Sequence, residues 1–261
     1  MCSAFRSLFI ALTIASGVFA QPAVLKVCAD PNNLPFSNQQ QQGFENKLAD
    51  LIATNMNAKV EYTWWSQHKN FGKQSLNVGA CDVVLGVTAG MQDVLTTTPY
   101  YRSTYVFVSR QDRGLQIKSL LDPQLATLRI GMHIVGDDFA PPAIALARQG
   151  ITKNIVGFSL FGDYGEVNPP RKLIDAVASG DIDVAISWGP FAGYFAQQAK
   201  TPLVITPVTP AAFLGIPFAY DISAAVRQGN ETLKAELDRI LQTQSATVQR
   251  ILAQYGIPQV Q

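Results

Sequence analysis

The sequence predicts an α/β chain of two related lobes, each carrying a parallel-rich sheet, joined by two extended crossovers. Three observations predict it. "VGACDVVLGV" from Val78 and "SGDIDVAISW" from Ser179 are two versions of one motif, in which Gly79 and Gly180 end helices and Asp82 and Asp183 open β-branched runs. Upstream, "LKVCAD" from Leu25 and "LRIGMH" from Leu128 are each a short apolar strand followed by a Pro- or Gly-rich loop and a helical stretch. Strands then alternate with helices through both halves, which implies parallel sheets with right-handed crossovers.

Taken in order, the chain begins with Arg6 ahead of an apolar run from Leu8 to Val18 that ends in "VFA" before Gln21. This is a secretory signal peptide over residues 1–20. The run is short for a membrane span, no later stretch reaches membrane length, and Cys2 precedes the run rather than standing at a lipoprotein cleavage site. The expected mature chain is exported to the periplasm, without membrane insertion after cleavage.

The first strand, "LKVCAD", runs into "DPNNLPFSN" and the polar tract "SNQQQQGF", a loop before the first long helix. Phe44, Leu48, Leu51 and Ile52 recur at helical spacing, "KVEYTWW" from Lys59 reads as a strand, and Phe71 to Val78 as a second helix closed by Gly79. The second half repeats the order with a helix over Pro142 to Gln149, the strand "NIVGFSL" and the helix "RKLIDAVASG". A helix over about Phe191 to Ala199 and the run "LVITPV" follow Trp188. Near the C-terminus, Leu233, Leu237, Ile240, Leu241, Val248, Ile251, Leu252 and Tyr255 mark two amphipathic helices, stopped by Gly256 and Pro258. "YVFVSRQDRG" (Tyr105 to Gly114) and "VITPVTP" (Val204 to Pro210) are the expected crossovers. They divide the mature chain into lobe 1 (residues 21–109 and 208–261) and lobe 2 (residues 110–207).

The composition, 48% hydrophobic and 15% charged with a formal net charge of +1, suits a compact globular chain. No basic run or aromatic-basic platform points to nucleic acid. Cys28 and Cys81 survive signal cleavage, and two states stay open: a disulfide in an oxidising compartment, or two buried thiols. Against the disulfide, in-register parallel neighbours would hold the two residues too far apart. There is no CxxC, and with only His68 and His133 in the chain no histidine-based metal site is expected.

The order of elements resembles the type II periplasmic solute-binding fold over nearly the whole mature chain. Within that superfamily, "CADPNNLPFSN", "GFENKLADLIA", "YTWW", "CDVVLGV" and "LTTTPYYRSTYVFV" together resemble one branch. It is the binding-protein-like accessory component encoded beside PQQ-dependent methanol and alcohol dehydrogenases, the MxaJ/XoxJ type. The resemblance implies a non-enzymatic protein that binds the dehydrogenase, with or without its cytochrome c, or helps it mature. PQQ and the lanthanide or calcium ion would belong to the dehydrogenase, so no cofactor is expected here. It also implies a ligand or partner site between the lobes, at the loops after Cys28, Gly86, Gly131 and Ser187, where open α/β sheets present strand ends and helix N-termini.

Departures from the amino-acid-binding branch are as informative. "VTAGMQDVLTTTPYY" lacks the arginine with which those receptors grip a carboxylate, and "DVAISWG" places Trp188 where they keep an acid for the ammonium. The alternatives are therefore an ABC-transporter receptor for a solute other than an ordinary α-amino acid, and a dehydratase-like enzyme on this fold.

The candidate cleft residues are Asp30, Asn32, Asn33, Phe36, Trp65, Thr88, Tyr100, Arg102, His133, Asp137 and Trp188. Asp30, Asn32 and Asn33 also fit turn chemistry, in which such side chains bond nearby backbone, and Phe36 either walls a ligand or packs as core. Trp64 and Trp65 point to opposite strand faces, Trp65 being the one expected outside. Arg102 is the candidate anion or inter-lobe contact. His133, Asp137 and Asp138 occupy the loop equivalent to "DPNN", where acids also cap helices. Glu45 is placed to favour the helix start. An enzymatic reading would begin with Asp30, Glu45, Asp137 and Asp138, but the sequence has no nucleophile elbow, phosphate loop or metal motif.

Overall fold

A computed structural model of the chain describes residues 23–67, 75–135, 138–161 and 166–260, with Asp138 and Phe139 described by their backbone alone. The expected signal peptide, His68 and Asp137 lie outside the described residues, as does half of the helix expected over 71–78; Ser75 to Gly79 form turns.

The strands follow the expected α/β order. In the first half, β1 (Ala23–Ala29) pairs in parallel with β4 (Ala58–Trp64) on one side and with β5 (Val83–Thr88) on the other. In the second, β8 (Ile130–Val135) pairs in parallel with β10 (Ile155–Ser159) and β11 (Val184–Trp188). Two long strands, β7 (Tyr101–Arg110) and β15 (Ala219–Arg227), lie antiparallel between the halves and link them into the order β10-β8-β11-β7-β15-β5-β1-β4. β7 pairs with β15 through Tyr101 to Thr104, then with β11 and β12 (Leu203–Pro207) through Tyr105 to Arg110. The run from Val204, expected as the second crossover, is thus an edge strand beside β7, and β15 makes the return.

The repeated motif has a structural reason. Asp82 accepts the backbone N–H of Lys26 at 2.9 Å while its own N–H bonds the Lys26 carbonyl at 2.8 Å. Asp183 does the same with Arg129, at 2.9 and 3.0 Å, and adds the Arg129 and Arg113 guanidinium groups. Each aspartate locks the start of its strand to the first strand of its own half. The arginine hydrogen bonds hold the Asp183 carboxyl down at about 2. Gly79 and Gly180 precede these aspartates at φ +78° and +85°, a left-handed conformation in which a Cβ is disfavoured.

Helix α1 (Phe44–Asn55) buries Phe44, Leu48 and Ile52 completely against the first half of the sheet, each contributing about 1.5–3 kcal/mol. The C-terminal helices, α5 (Glu231–Thr243) and α6 (Ser245–Gln254), close the same core with Leu237, Ile240, Val248 and Leu252. In the second half, α2 (Pro141–Ala147), α3 (Arg171–Ser179) and α4 (Gly189–Gln197) cover the sheet in two clusters. Val208 and Phe218 pack in one of these with Phe107 and Ile186, which differs from the division expected at residue 207. The chain end crosses back: Ser103 Oγ donates to the Pro258 carbonyl at 2.6 Å, and a Cβ on Gly193 of α4 would stand 1.9 Å from the Gly256 carbonyl oxygen.

Cys28 and Cys81 form a disulfide with Cα atoms 5.5 Å apart. From sequence, Cys28 is expected late in its strand and Cys81 just before the next, a spacing that in-register extended chains would hold too far apart. Cys28 does stand opposite Val84 and Cys81 does precede β5, but the chain bends at Ala80 and Asp82 and folds Cys81 back beside Cys28 in a small cluster with Leu76, Val84 and Ala225.

Candidate functional site

The loop after β1 is held rigid before it reaches anything. Asp30 is 1% exposed, and its carboxylate accepts the N–H groups of Asn32 at 2.8 Å and Gln67 at 2.7 Å. Ser37 Oγ donates to the Asp30 carbonyl at 2.8 Å, and Asn32–Asn33 pairs with Ser37–Asn38 as a two-residue ladder. The carbonyls of Pro35 and Phe36 accept the N–H groups of Phe44 and Glu45 at 2.8 and 3.0 Å, two donors that the first turn of α1 would otherwise leave unmet. Gly43 is required here, since a Cβ would stand 1.9 Å from the Phe36 oxygen. Asp30 therefore builds the loop and lines neither of the two cavities between the lobes.

This rigid loop reaches the second lobe at three points. Asn32 Nδ2 donates to the Glu166 carbonyl at 2.7 Å, and Asn32 Oδ1 accepts the Asn168 N–H at 3.3 Å. Leu34, 5% exposed, packs in the cluster of Leu173, Ile174 and Phe191. The Phe36 ring lies 5.2 Å from Phe44 and 5.1 Å from Phe191, bridging the two cores. The lobes are thus clasped along one rim of the cleft.

Behind that rim is a cavity of about 370 Å³, within the range of small-molecule sites. Tyr105, Trp188 and Tyr220 form a line of rings, 5.4 Å and 5.8 Å between neighbouring centroids, and Phe191, Leu160 and Ile222 add apolar wall. Thr88, Gly86 and His133 are the polar contributors from strand ends. His133 Nε2 is 2.9 Å from the Pro170 carbonyl, and burial pushes its pKa down to about 4, so the ring is neutral at pH 7. A smaller chamber of about 170 Å³ shares Gly86, Leu160, Trp188, Phe191 and Ile222, and is also bounded by Asn33, Phe36, Glu45, Gln67 and Tyr101. Burial, with Asp30 nearby, pushes the Glu45 carboxyl up to about 8. Asn33 Oδ1 and the Tyr101 hydroxyl are buried without a partner among the described residues.

Of the residues expected at the cleft, Phe36, Asn33, Thr88, His133 and Trp188 line these spaces, and Asn32 bonds across the rim. Four others are placed elsewhere, Asp30 inside its own loop and three more on or beside strands of the first lobe. Tyr100 is buried beneath β5, where its hydroxyl accepts the Gly86 N–H at 3.0 Å; the alternation of β7 sends Arg102 to Asp221, 2.7 Å away in a half-exposed pair. Trp65 is 45% exposed, just past the end of β4, and borders neither space. Glu45, expected chiefly to favour the helix start and otherwise weighed as one of four converging acids, bounds the inner chamber. Tyr105, Phe191, Tyr220 and Ile222 were not singled out from sequence; they come from the crossover strands and the first turn of α4, whose facing depends on the pairing of β7 with β15. Among the described residues no group of three or more His, Cys, Asp or Glu is placed to hold a metal ion.

Comparison with known proteins places this geometry. The model for bacterial extracellular solute-binding proteins, family 3, matches residues 25–258. Protein MoxJ of Methylorubrum extorquens is 31% identical over 248 residues, covering 90% of this chain and 81% of that protein. Among solved structures, MxaJ from Methlophaga aminisulfidivorans MPT superposes with a TM-score of 0.80 at 30% identity, covering 90% of this chain and 100% of that one. The periplasmic binding protein XoxJ from Methylobacterium extorquens AM1 gives 0.75 at 30% identity, covering 91% and 99%.

Proposed function

Because the chain belongs to the bacterial extracellular solute-binding proteins, family 3, we propose that it is a periplasmic, solute-binding-like accessory protein of a PQQ-dependent methanol or alcohol dehydrogenase system. Its role is to bind the dehydrogenase or help it mature by accommodating a segment of it between the lobes. The observation that carries this reading is the likeness to MoxJ, MxaJ and XoxJ over about nine-tenths of the chain. The cleft adds support: among its described residues neither an arginine nor a second-lobe acid stands ready for the two ends of an α-amino acid. Catalysis is not part of the reading, since Asp30 is spent on loop N–H groups and Glu45 faces aromatic and amide groups rather than a nucleophile.

One observation favours a second reading. The cavity of about 370 Å³ is bounded by both lobes, as a receptor for an imported solute requires. Co-purification of the tagged protein with the dehydrogenase, with and without the cytochrome c, separates the two. The accessory reading expects a stoichiometric complex; a single small solute bound tightly with no dehydrogenase association overturns it.

A further inference from the structure

The walls of the cleft say what chemistry they accept. Among the described residues that line the main cavity there is no Asp, Glu, Lys or Arg. Arg102 is committed to Asp221 at 2.7 Å and borders neither space. The polar groups on offer are uncharged: the Thr88 hydroxyl, the His133 ring held by the Pro170 carbonyl, and in the inner chamber Asn33, Gln67 and the Tyr101 hydroxyl. Asn33 Nδ2 donates to Gln67 Oε1 at 2.9 Å, which leaves Asn33 Oδ1 as a buried acceptor with no partner among the described residues. An acceptor of that kind is satisfied by an incoming O–H or N–H. Glu45 is the one acid among the described residues of the inner chamber, and its raised pKa of about 8 leaves it mostly protonated at neutral pH. The rings of Tyr105, Trp188, Tyr220 and Phe191 supply flat apolar surface for another ring.

Resting on the reading of this cleft as a used binding site, we propose that its occupant is an uncharged, ring-bearing group with one hydroxyl or amide donor. The ring lies against Trp188 and Phe191, and the donor points toward Asn33 Oδ1. Among the described residues a carboxylate or ammonium entering the same space finds no counter-charge in the main cavity, and leaving water without one is costly. The same chemistry has two sources: a free aromatic alcohol or amide, or an aromatic side chain displayed by a segment of the dehydrogenase.

Benzyl alcohol, benzoate, benzylamine and L-phenylalanine are titrated separately into the full mature chain at pH 7, with binding read calorimetrically and from the change in tryptophan fluorescence, to which Trp64 and Trp65 also contribute. The proposal expects benzyl alcohol to bind at least tenfold more tightly than each charged probe. It also expects that preference to survive in Asp137→Asn, whose acid adjoins the cleft strand in sequence. Phe191→Leu, checked for native circular dichroism, should weaken benzyl alcohol at least fivefold; if that variant does not fold, Thr88→Val and Asn33→Ala in the folded chain serve, the second weakening benzyl alcohol but not toluene. Charged probes that bind as well as benzyl alcohol, or benzyl alcohol binding indifferent to all three substitutions, overturn the proposal. Adding the dehydrogenase distinguishes the sources. Displacement of benzyl alcohol supports a partner side chain as the occupant. Simultaneous binding of both supports the chemical class with a free solute as the source, and overturns the partner-segment part of the functional reading.

Discussion

Glu45 shows how one residue ties the stability of this protein to its cleft. Its side chain is buried beside Asp30, and its pKa rises from the ordinary 4.5 to about 8. The folded chain therefore holds a proton that the unfolded chain releases, so stability falls as pH rises between those two values. His133 acts in the opposite sense: with a folded pKa of about 4 against 6.5, it costs stability as pH falls through that window. Between pH 4.5 and 6.5 the two trends oppose each other, and between pH 6.5 and 8 Glu45 acts without His133. Denaturant unfolding across pH 6.5 to 8 should show wild type losing up to about 1.4 kcal/mol per pH unit, with Glu45→Gln flat over the same range. A wild-type slope of zero there would mean that Glu45 is ionised throughout. Nothing in "GFENKL" announces this behaviour: an acid in the first turn of a helix has a sufficient local reason to be there, and its burial arises only because β5 and the loop after β1 close over it.

At the scale of elements, the repeated Gly-x-x-Asp unit was legible because it is local. Gly79 and Gly180 take positive φ, and Asp82 and Asp183 clasp the first strand of their own half, so the same residues recur for the same mechanical reason. The long helices were legible too, since periodic burial marks α1, α3, α5 and α6. The return crossover was not, because "VITPVTP" and "AYDISAAVR" are both extended β-type runs and only their pairing with β7 distinguishes an edge strand from a connection. The disulfide was unreadable for a related reason: it depends on how the chain bends at Ala80 and Asp82 around Cys81, which its place just before a strand does not disclose. It closes a loop of 53 residues in sequence separation. Replacing both cysteines by serine should lower the unfolding free energy by about 2–5 kcal/mol, measured in denaturant without reductant. A loss below 1 kcal/mol would place the constraint on the unfolded chain elsewhere.

For the whole molecule, the lobes meet through a loop that the first lobe holds rigid and the second receives. Asn32 bonds the backbone of Glu166 and Asn168, Leu34 enters the second-lobe cluster, and Phe36 bridges Phe44 and Phe191. These contacts need no ligand. The protein should accordingly scatter as a closed particle when purified without additives, and Asn32→Ala combined with Leu34→Ser should raise its radius of gyration while leaving circular dichroism unchanged. Equal radii for the two proteins would show that the clasp does not set the lobe spacing. The half-repeat in the sequence put "DPNNLPFSN" at a strand end facing the second lobe. It did not distinguish which side chains turn inward to build the loop, as Asp30 does, from those that cross the gap, as Asn32 does, because both are polar turn formers and their direction follows from the ladder at Asn32–Asn33.

The central claim is that this binding-protein fold serves a protein partner through its cleft. Its most direct test is the association of the purified mature chain with the PQQ-dependent dehydrogenase, measured by sedimentation for wild type and for Trp188→Glu, which places a charge on the aromatic wall. We predict a defined complex with wild type, weakened at least tenfold by the substitution; no complex with wild type, together with tight binding of one small solute, would contradict the account.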